Sequence, residues 1–153
     1  MKGFIPVYDK EGCRIVQSKD IAITKKGATP SLSFIYSLLG IDIVEALALS
    51  PDHRVLMDEV GLYKGYDYGF KVRNLSFYSD PKVRAKVNLP PVVGAKADYS
   101  VDLVGSICIV QLTDDGDWSG FDTYEDAYAY CTRNIEVHNG KFHLMPKPPS
   151  NPL

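Results

Sequence analysis

The run Leu103-Val104-Gly105-Ser106-Ile107-Cys108-Ile109-Val110-Gln111-Leu112 places the tightest limit on what this chain can fold into. It carries apolar residues at odd and even positions alike and contains no charge. A β-strand turns successive side chains to opposite faces, so such a run must be covered on both sides. It is expected to be a central strand with a layer on each face, or a strand at an interface between subunits. The remaining chain has the material for this, because 153 residues of which 45% are hydrophobic sustain a single core.

The segments around the run supply candidate layers. Asp122, with Glu125 three residues on, forms the sequence pattern of a capping box, and Tyr124, Ala127, Tyr128 and Cys131 then recur at helical spacing as a buried stripe. Thr29-Pro30 predicts a second helix start, with an apolar face at Leu32, Ile35, Tyr36 and Leu39 and a stop at Gly40. Phe4 to Tyr8 and Cys13 to Gln17 flank the turn Asp9-Lys10-Glu11-Gly12, a hairpin in which Pro6 favours an edge position for the first arm. Ile41 to Leu49 fits a helix opened by Asp42 and Glu45 or a strand, and a strand, turn, strand reading through Ser50-Pro51-Asp52-His53 is preferred. A final hairpin is expected from Ile135 to Leu144 around Asn139-Gly140, with Val137 facing Phe142. The sum is one α+β domain over residues 1–145, a mostly antiparallel sheet with two main helices, followed by a Pro-rich tail over 146–153 that cannot fold by itself.

Charge is unevenly spread. The net charge of −2 and the pI near 5.9 do not favour a nucleic-acid-binding protein, which normally shows a basic excess. Yet Lys64 to Lys96 has seven Lys/Arg against Asp67 and Asp80, a net of +5, whereas Asp98 to Asp126 has eight carboxylates and no base. A bipolar molecule is expected. Cys13, Cys108 and Cys131 lack any C-x-x-C spacing and no apolar run follows Met1, so reduced, buried thiols in a cytoplasmic protein with no membrane association are expected.

Leu39-Gly40-Ile41-Asp42-Ile43-Val44-Glu45, the turn at Pro51-Asp52, Val55 to Glu59, Gly61-Leu62-Tyr63-Lys64-Gly65, Asn74-Leu75, Phe77-Tyr78 and the later Leu103-Val104-Gly105-Ser106 follow one another in an informative order. Over roughly Pro30 to Asp115 this order resembles a family of small domains of unknown function encoded by phages and conjugative elements. In that family a short helix runs into a strand pair, a D-E-x-G-x-x-K-G turn follows, and a strand opening with V-G closes the sheet. The Met1 to Lys26 hairpin is longer than the resemblance implies, and Asp80 to Tyr99 reads as an insertion. The resemblance implies a phage or mobile-element origin, hence the cytoplasm of a host cell, and attaches no activity.

Two constellations invite a chemical reading. Asp115, Asp117, Ser119, Gly120, Phe121, Thr123 and Asp126 fall at the first, third, fifth, sixth, seventh, ninth and twelfth places of a calcium loop. Three departures weigh against calcium: Asp in place of a bidentate Glu at the twelfth place, Asp122 where an apolar residue is usual, and a strand in place of the leading helix. The other constellation interleaves Lys64, Tyr66, Tyr68, Lys71 and Arg73, followed by Lys82, Arg84 and Lys86 alternating with Val83 and Ala85. Read as an extended segment, the last three bases share a face, and the whole becomes a surface where cations meet phosphates and rings stack on bases. An anionic, nucleotide-like ligand fits this surface, nucleic acid less well, and the same residues also fit an ordinary solvated face.

Catalytic motifs are not evident. His53 stands in a turn, His138 and His143 on a hairpin with Glu136, and no Walker loop, dinucleotide fingerprint or zinc spacing occurs, so no cofactor is expected. The leading expectation is a non-catalytic binding protein that interferes with a host defence process by seizing a host protein or an anionic ligand. The alternatives are a small enzyme acting on a nucleotide or a protein, its Tyr, His and Asp side chains gathered only by folding, and a structural protein that assembles as a homo-oligomer through Leu103 to Leu112.

Overall fold

The computed structural model describes residues 3–18, 30–73, 81–86, 100–114, 116–134, 136–139, 142–143 and 148. Strands β1 (Gly3–Asp9) and β2 (Gly12–Ser18) form the expected hairpin, with Asp9 opposite Gly12. Helix α1 (Pro30–Leu39) starts at the predicted proline and stops at Gly40, whose φ is +66°. Strands β3 (Val44–Ser50) and β4 (His53–Asp58) resolve the ambiguous segment in favour of strand, turn, strand. A 3-10 turn (Gly61–Tyr63), β5 (Gly69–Arg73), the short helix α2 (Pro81–Lys86), β6 (Ser100–Val104), β7 (Ile107–Leu112) and β8 (Trp118–Ser119) follow. The described elements end with α3 (Tyr124–Asn134), β9 (Glu136–Asn139) and β10 (Phe142–His143).

The strands make two antiparallel sheets. One has the order β2-β1-β7-β4-β3, with β8 also on β7, and the other the order β10-β9-β5-β6. The expected α+β class with a mostly antiparallel sheet and two main helices is the observed one. Strand β7 is its centre, as the apolar run requires: Ile107, Cys108, Ile109 and Val110 are wholly buried. On one face Ile5, Val7, Leu56, Cys108 and Val110 pack with Ile35 and Leu39 of α1. On the other, Tyr8, Val55, Ile107 and Ile109 pack with Phe70, Val72, Leu103 and Val137 of the second sheet and Ala127 and Cys131 of α3.

The run is not one strand, however. Gly105, at φ +83°, breaks it, so that Leu103 serves the second sheet and Ile107 the first. An L-residue is strained in that left-handed conformation, and the break lets one apolar stretch cross between layers.

Other corrections have local causes. Strand β1 is internal, although Pro6 favoured an edge. Phe4 exchanges both backbone hydrogen bonds with Phe121 at 2.8 Å, and β1 meets β7 again only at Val7 and Tyr8. The nitrogen of Pro6, two residues on from Phe4, faces the gap between these contacts, where no donor is needed. The cap of α3 is Thr123, whose Oγ1 accepts the Asp126 N–H at 3.0 Å, one residue later than the Asp122 box predicts. The last hairpin pairs Asn139 with Phe142 and His138 with His143, two places off the expected sum of partners, with β9 held on its other side by Val72 opposite Val137. Ile135, Gly140 and Leu144 of that hairpin, Thr29, and the tail other than Pro148 lie outside the described residues.

Candidate functional site

The turn after β4 is built around a buried carboxylate. The Asp58 side chain is 1% exposed, and its partners among the described residues come from the next eight positions. Its Oδ1 accepts the Val60 N–H at 3.1 Å, and its Oδ2 accepts the Tyr66 hydroxyl and the Lys64 ammonium, each at 2.9 Å. Burial pushes the Asp58 carboxyl up, but the hydrogen bonds from Lys64, the Val60 amide and Tyr66 outweigh it and hold the pKa below the ordinary carboxylate value. The same contact with Asp58 raises Lys64. The Tyr66 ring then lies against Gly105, where an added Cβ would stand 3.0 Å from a ring carbon, and Gly105 donates its N–H to the Tyr68 carbonyl at 3.0 Å. The Tyr68 hydroxyl bonds Ser106 Oγ at 2.8 Å. The D-E-x-G-x-x-K-G turn and the V-G strand thus meet in one clasp that ties the first sheet to the second.

This clasp uses up much of the basic, aromatic surface. Lys64, Tyr66 and Tyr68 are turned to internal partners, and Tyr66, Tyr68 and Phe70 form an edge-to-face series at 5.7 and 6.1 Å that ends in the core. Lys71 on β5 pairs with Asp102 on β6 at 3.6 Å, so the basic and acidic stretches meet at this seam where separate poles were expected. Arg73 ends β5, its backbone opposite Ser100 and Glu136. Lys82, Arg84 and Lys86 lie on α2, not on an extended segment. Pro81 at the first helical position is the signal that outweighs their alternation. On a helix, residues four places apart are neighbours, so Lys82 and Lys86, both exposed, lie on one side of α2.

The described residues of the calcium reading take part in local backbone structure. Asp115 lies outside the described residues, Ser119 belongs to β8 and donates to the Gly120 carbonyl, and the Phe121 carbonyl accepts the Phe4 N–H. Gly120 is required for a close approach: a Cβ there would stand 2.6 Å from the Phe4 nitrogen and 2.7 Å from the Gly3 carbonyl carbon. Asp117 closes a local turn with Thr113, and Asp126 sits in the first turn of α3. The seventh-place oxygen is therefore engaged, and among the described residues no three His, Cys, Asp or Glu side chains are grouped to hold a metal ion.

Two concavities were not legible beforehand. A cleft of about 210 Å³ separates the outer strands β3 and β6, walled by Leu47, Met57 and Leu103 and rimmed by Glu45, Glu59 and Asp102. Leu62 lines it and is 79% exposed, and the adjoining Tyr63 is 88% exposed. Two large apolar side chains inside a charged, glycine-bounded turn are the sequence signal for such a patch. The other concavity, about 280 Å³, gathers His53, Gln111, Asp122, Asp126, Tyr130 and Arg133 from β4, β7, α3 and the bend before α3. There His53 stacks on Tyr130 at 3.9 Å and its Nδ1 lies 2.8 Å from Ser50 Oγ. Burial lowers the His53 pKa, with Asp52 opposing and Arg54 assisting.

Comparison with protein-family models, curated proteins and solved structures finds no match to this chain. What fold and site define is a class, an α+β protein of two facing antiparallel sheets with an acid-rimmed apolar cleft between their outer strands. No helix among the described residues is long and apolar enough to cross a membrane.

Proposed function

We propose that this is a non-catalytic binding protein that engages another protein through the cleft between β3 and β6. The observation that carries the reading is the pair Leu62 and Tyr63, 79% and 88% exposed beside an apolar cleft, because exposed apolar groups clustered at a concavity and ringed by charge characterise protein contact surfaces. Capture of an anionic ligand by the basic stretch has less support, since Lys64 and Lys71 already face carboxylates. The resemblance to mobile-element domains supports a host protein as the partner and the host cytoplasm as the place, with interference in a host defence process as the outcome.

The test compares wild type with a Leu62→Ser/Tyr63→Ser variant in crosslinking from host cells read by mass spectrometry. A host protein crosslinked by wild type and lost from the variant at unchanged Tm is the expected result. Equal recovery by both proteins, or recovery of none, overturns the reading.

The His53 pocket supports a second reading, a small polar ligand or a reaction on one, because folding gathers His53, Asp122, Asp126, Tyr130 and Arg133 there. A Ser50–His53 nucleophile pair is weakly supported. Ser50 Oγ also accepts the Asp52 N–H at 3.1 Å, which is the bonding of a local serine turn. Turnover of a nucleotide that is lost in His53→Gln would favour this reading over the first.

A further inference from the structure

The phase of the β3–β4 ladder can be read from one hydrogen bond. The Glu59 N–H donates to the Ile43 carbonyl at 3.0 Å, in line with the pairing of Glu45 with Met57 and Leu47 with Val55. In an antiparallel ladder alternate residues turn their backbone groups to the partner and the others turn away from it. Ile43, Glu45 and Leu47 therefore face β4, whereas Val44 and Ala46 point N–H and C=O outward. Strand β3 ends its sheet, and among the described residues no strand pairs with that outer edge. Side chains have the opposite consequence: Glu45 and Leu47, two residues apart, both line the cleft.

We infer that the outer edge of β3 accepts an extended segment of the partner as an added strand, and that this segment carries a basic and an apolar side chain two residues apart. The inference rests on the reading that the cleft binds a protein. Backbone hydrogen bonds to Val44 and Ala46 supply the docking, and cross-strand neighbours supply the selection. The position opposite Leu47 favours an apolar side chain entering the cleft against Met57, Leu103 and Leu62. The position opposite Glu45 favours Lys or Arg, because Glu45, Glu59 and Asp102 give the rim three carboxylates. Asp102 is already paired with Lys71, so Glu45 and Glu59 provide the charge complementarity. Ala46, exposed and small, leaves room for side chains on the other face of the added strand.

The test uses the full chain and fluorescein-labelled Thr/Val-rich octapeptides containing Leu-x-Arg, the order an antiparallel added strand requires, or Arg-x-Leu, the order of a parallel one, read by fluorescence anisotropy. Ala46→Pro deletes one outward N–H at an edge position, where proline is tolerated. It is expected to weaken peptide binding by at least about tenfold, as are Glu45→Lys and exchange of the peptide Arg for Glu. Should Ala46→Pro not fold, peptides N-methylated at alternate amides replace it, one phase binding and the other failing. Equal binding by both phases, equal binding of the Arg and Glu peptides, or no binding at millimolar peptide overturns the inference. If Leu62→Ser/Tyr63→Ser loses the host partner while Ala46→Pro and Glu45→Lys retain it, the protein-binding reading stands and strand addition fails. If all these variants retain the partner, both fail.

Discussion

The Tyr66 hydroxyl donates to the Asp58 carboxylate at 2.9 Å, and its ring rests on Gly105, where a side chain would crowd it. The contact joins the turn after β4 to the junction between β6 and β7. The clasp therefore reports on whether the two sheets are docked, and it can be tested apart from any binding partner.

Tyr66→Phe removes one hydrogen bond to a charged acceptor and is expected to cost about 1–3 kcal/mol in urea unfolding. Asp58→Ala should cost at least as much, because the Val60 N–H and Tyr66 hydroxyl lose their shared acceptor. The double variant should be non-additive by about 0.5–3 kcal/mol, the range for residues in one network. Additive losses would show that the two groups act separately. The sign with pH is fixed: Asp58 is depressed on folding, so its contribution is present above the unfolded pKa of 3.8 and lost as pH falls through the lower folded value.

Gly105→Ala meets two obstacles, a φ of +83° and a Cβ 3.0 to 3.2 Å from three atoms of the Tyr66 ring. Backbone strain alone is expected to cost about 1–2 kcal/mol, with the crowding in addition. Thermal unfolding measures it. A variant within 0.5 kcal/mol of wild type, the range of neutral surface changes, would mean that the ring and backbone give way together.

His53 predicts a second, higher pH window. Burial holds its folded pKa below the ordinary 6.5, so the folded state binds this proton more weakly than the unfolded chain. Stability due to His53 is complete above pH 6.5 and declines as pH falls toward the folded pKa. Urea midpoints from pH 7.5 to 5 should fall more steeply in wild type than in His53→Gln. Parallel slopes would assign the dependence to other groups.

The thiols should be inert while the protein is folded. Burial pushes Cys13 up to about 12 and Cys131 up to about 11, with hydrogen bonding to Tyr8 acting in the lowering direction, and burial also raises Cys108. Thiolate is the reactive form, so alkylation at pH 8 should be slow for all three and fast in urea, as read by mass spectrometry. Prompt labelling of Cys131 in the native protein would contradict its place on the buried face of α3.

Local features were legible where one residue decides them. Pro30 and Gly40 bracket α1, and the alternation of Glu45, Leu47 and Leu49 marks β3. Misreadings arose where the deciding partner is distant. Gly105 inside an apolar run gives no local sign of a break, because Tyr66 and the second sheet impose it. Asp122 and Thr123 are both good caps, and the choice follows from Phe121 being held by Phe4. The three bases after Pro81 fit period two over too short a span to exclude a helix. The pairing of Lys64 and Lys71 has no local sign, because Asp58 and Asp102 reach them only through folding. The His53 pocket draws on β4, β7 and α3 and has no local pattern to find.

The pairing of β5 with β6 has a consequence for how this chain can vary. Residues 74–99 leave and return at neighbouring rungs, Arg73 beside Ser100, so the connection is already closed at its base. Under that constraint each doubling of its length costs only about 0.6 kcal/mol in closure entropy. Segments of quite different size and character can be exchanged there while the sheets keep their register. The rest of β6, Val101 to Val104, lines the cleft and stays paired with β5. Evolution can thus rewrite this connection while β5 goes on holding the β6 wall of the cleft in register.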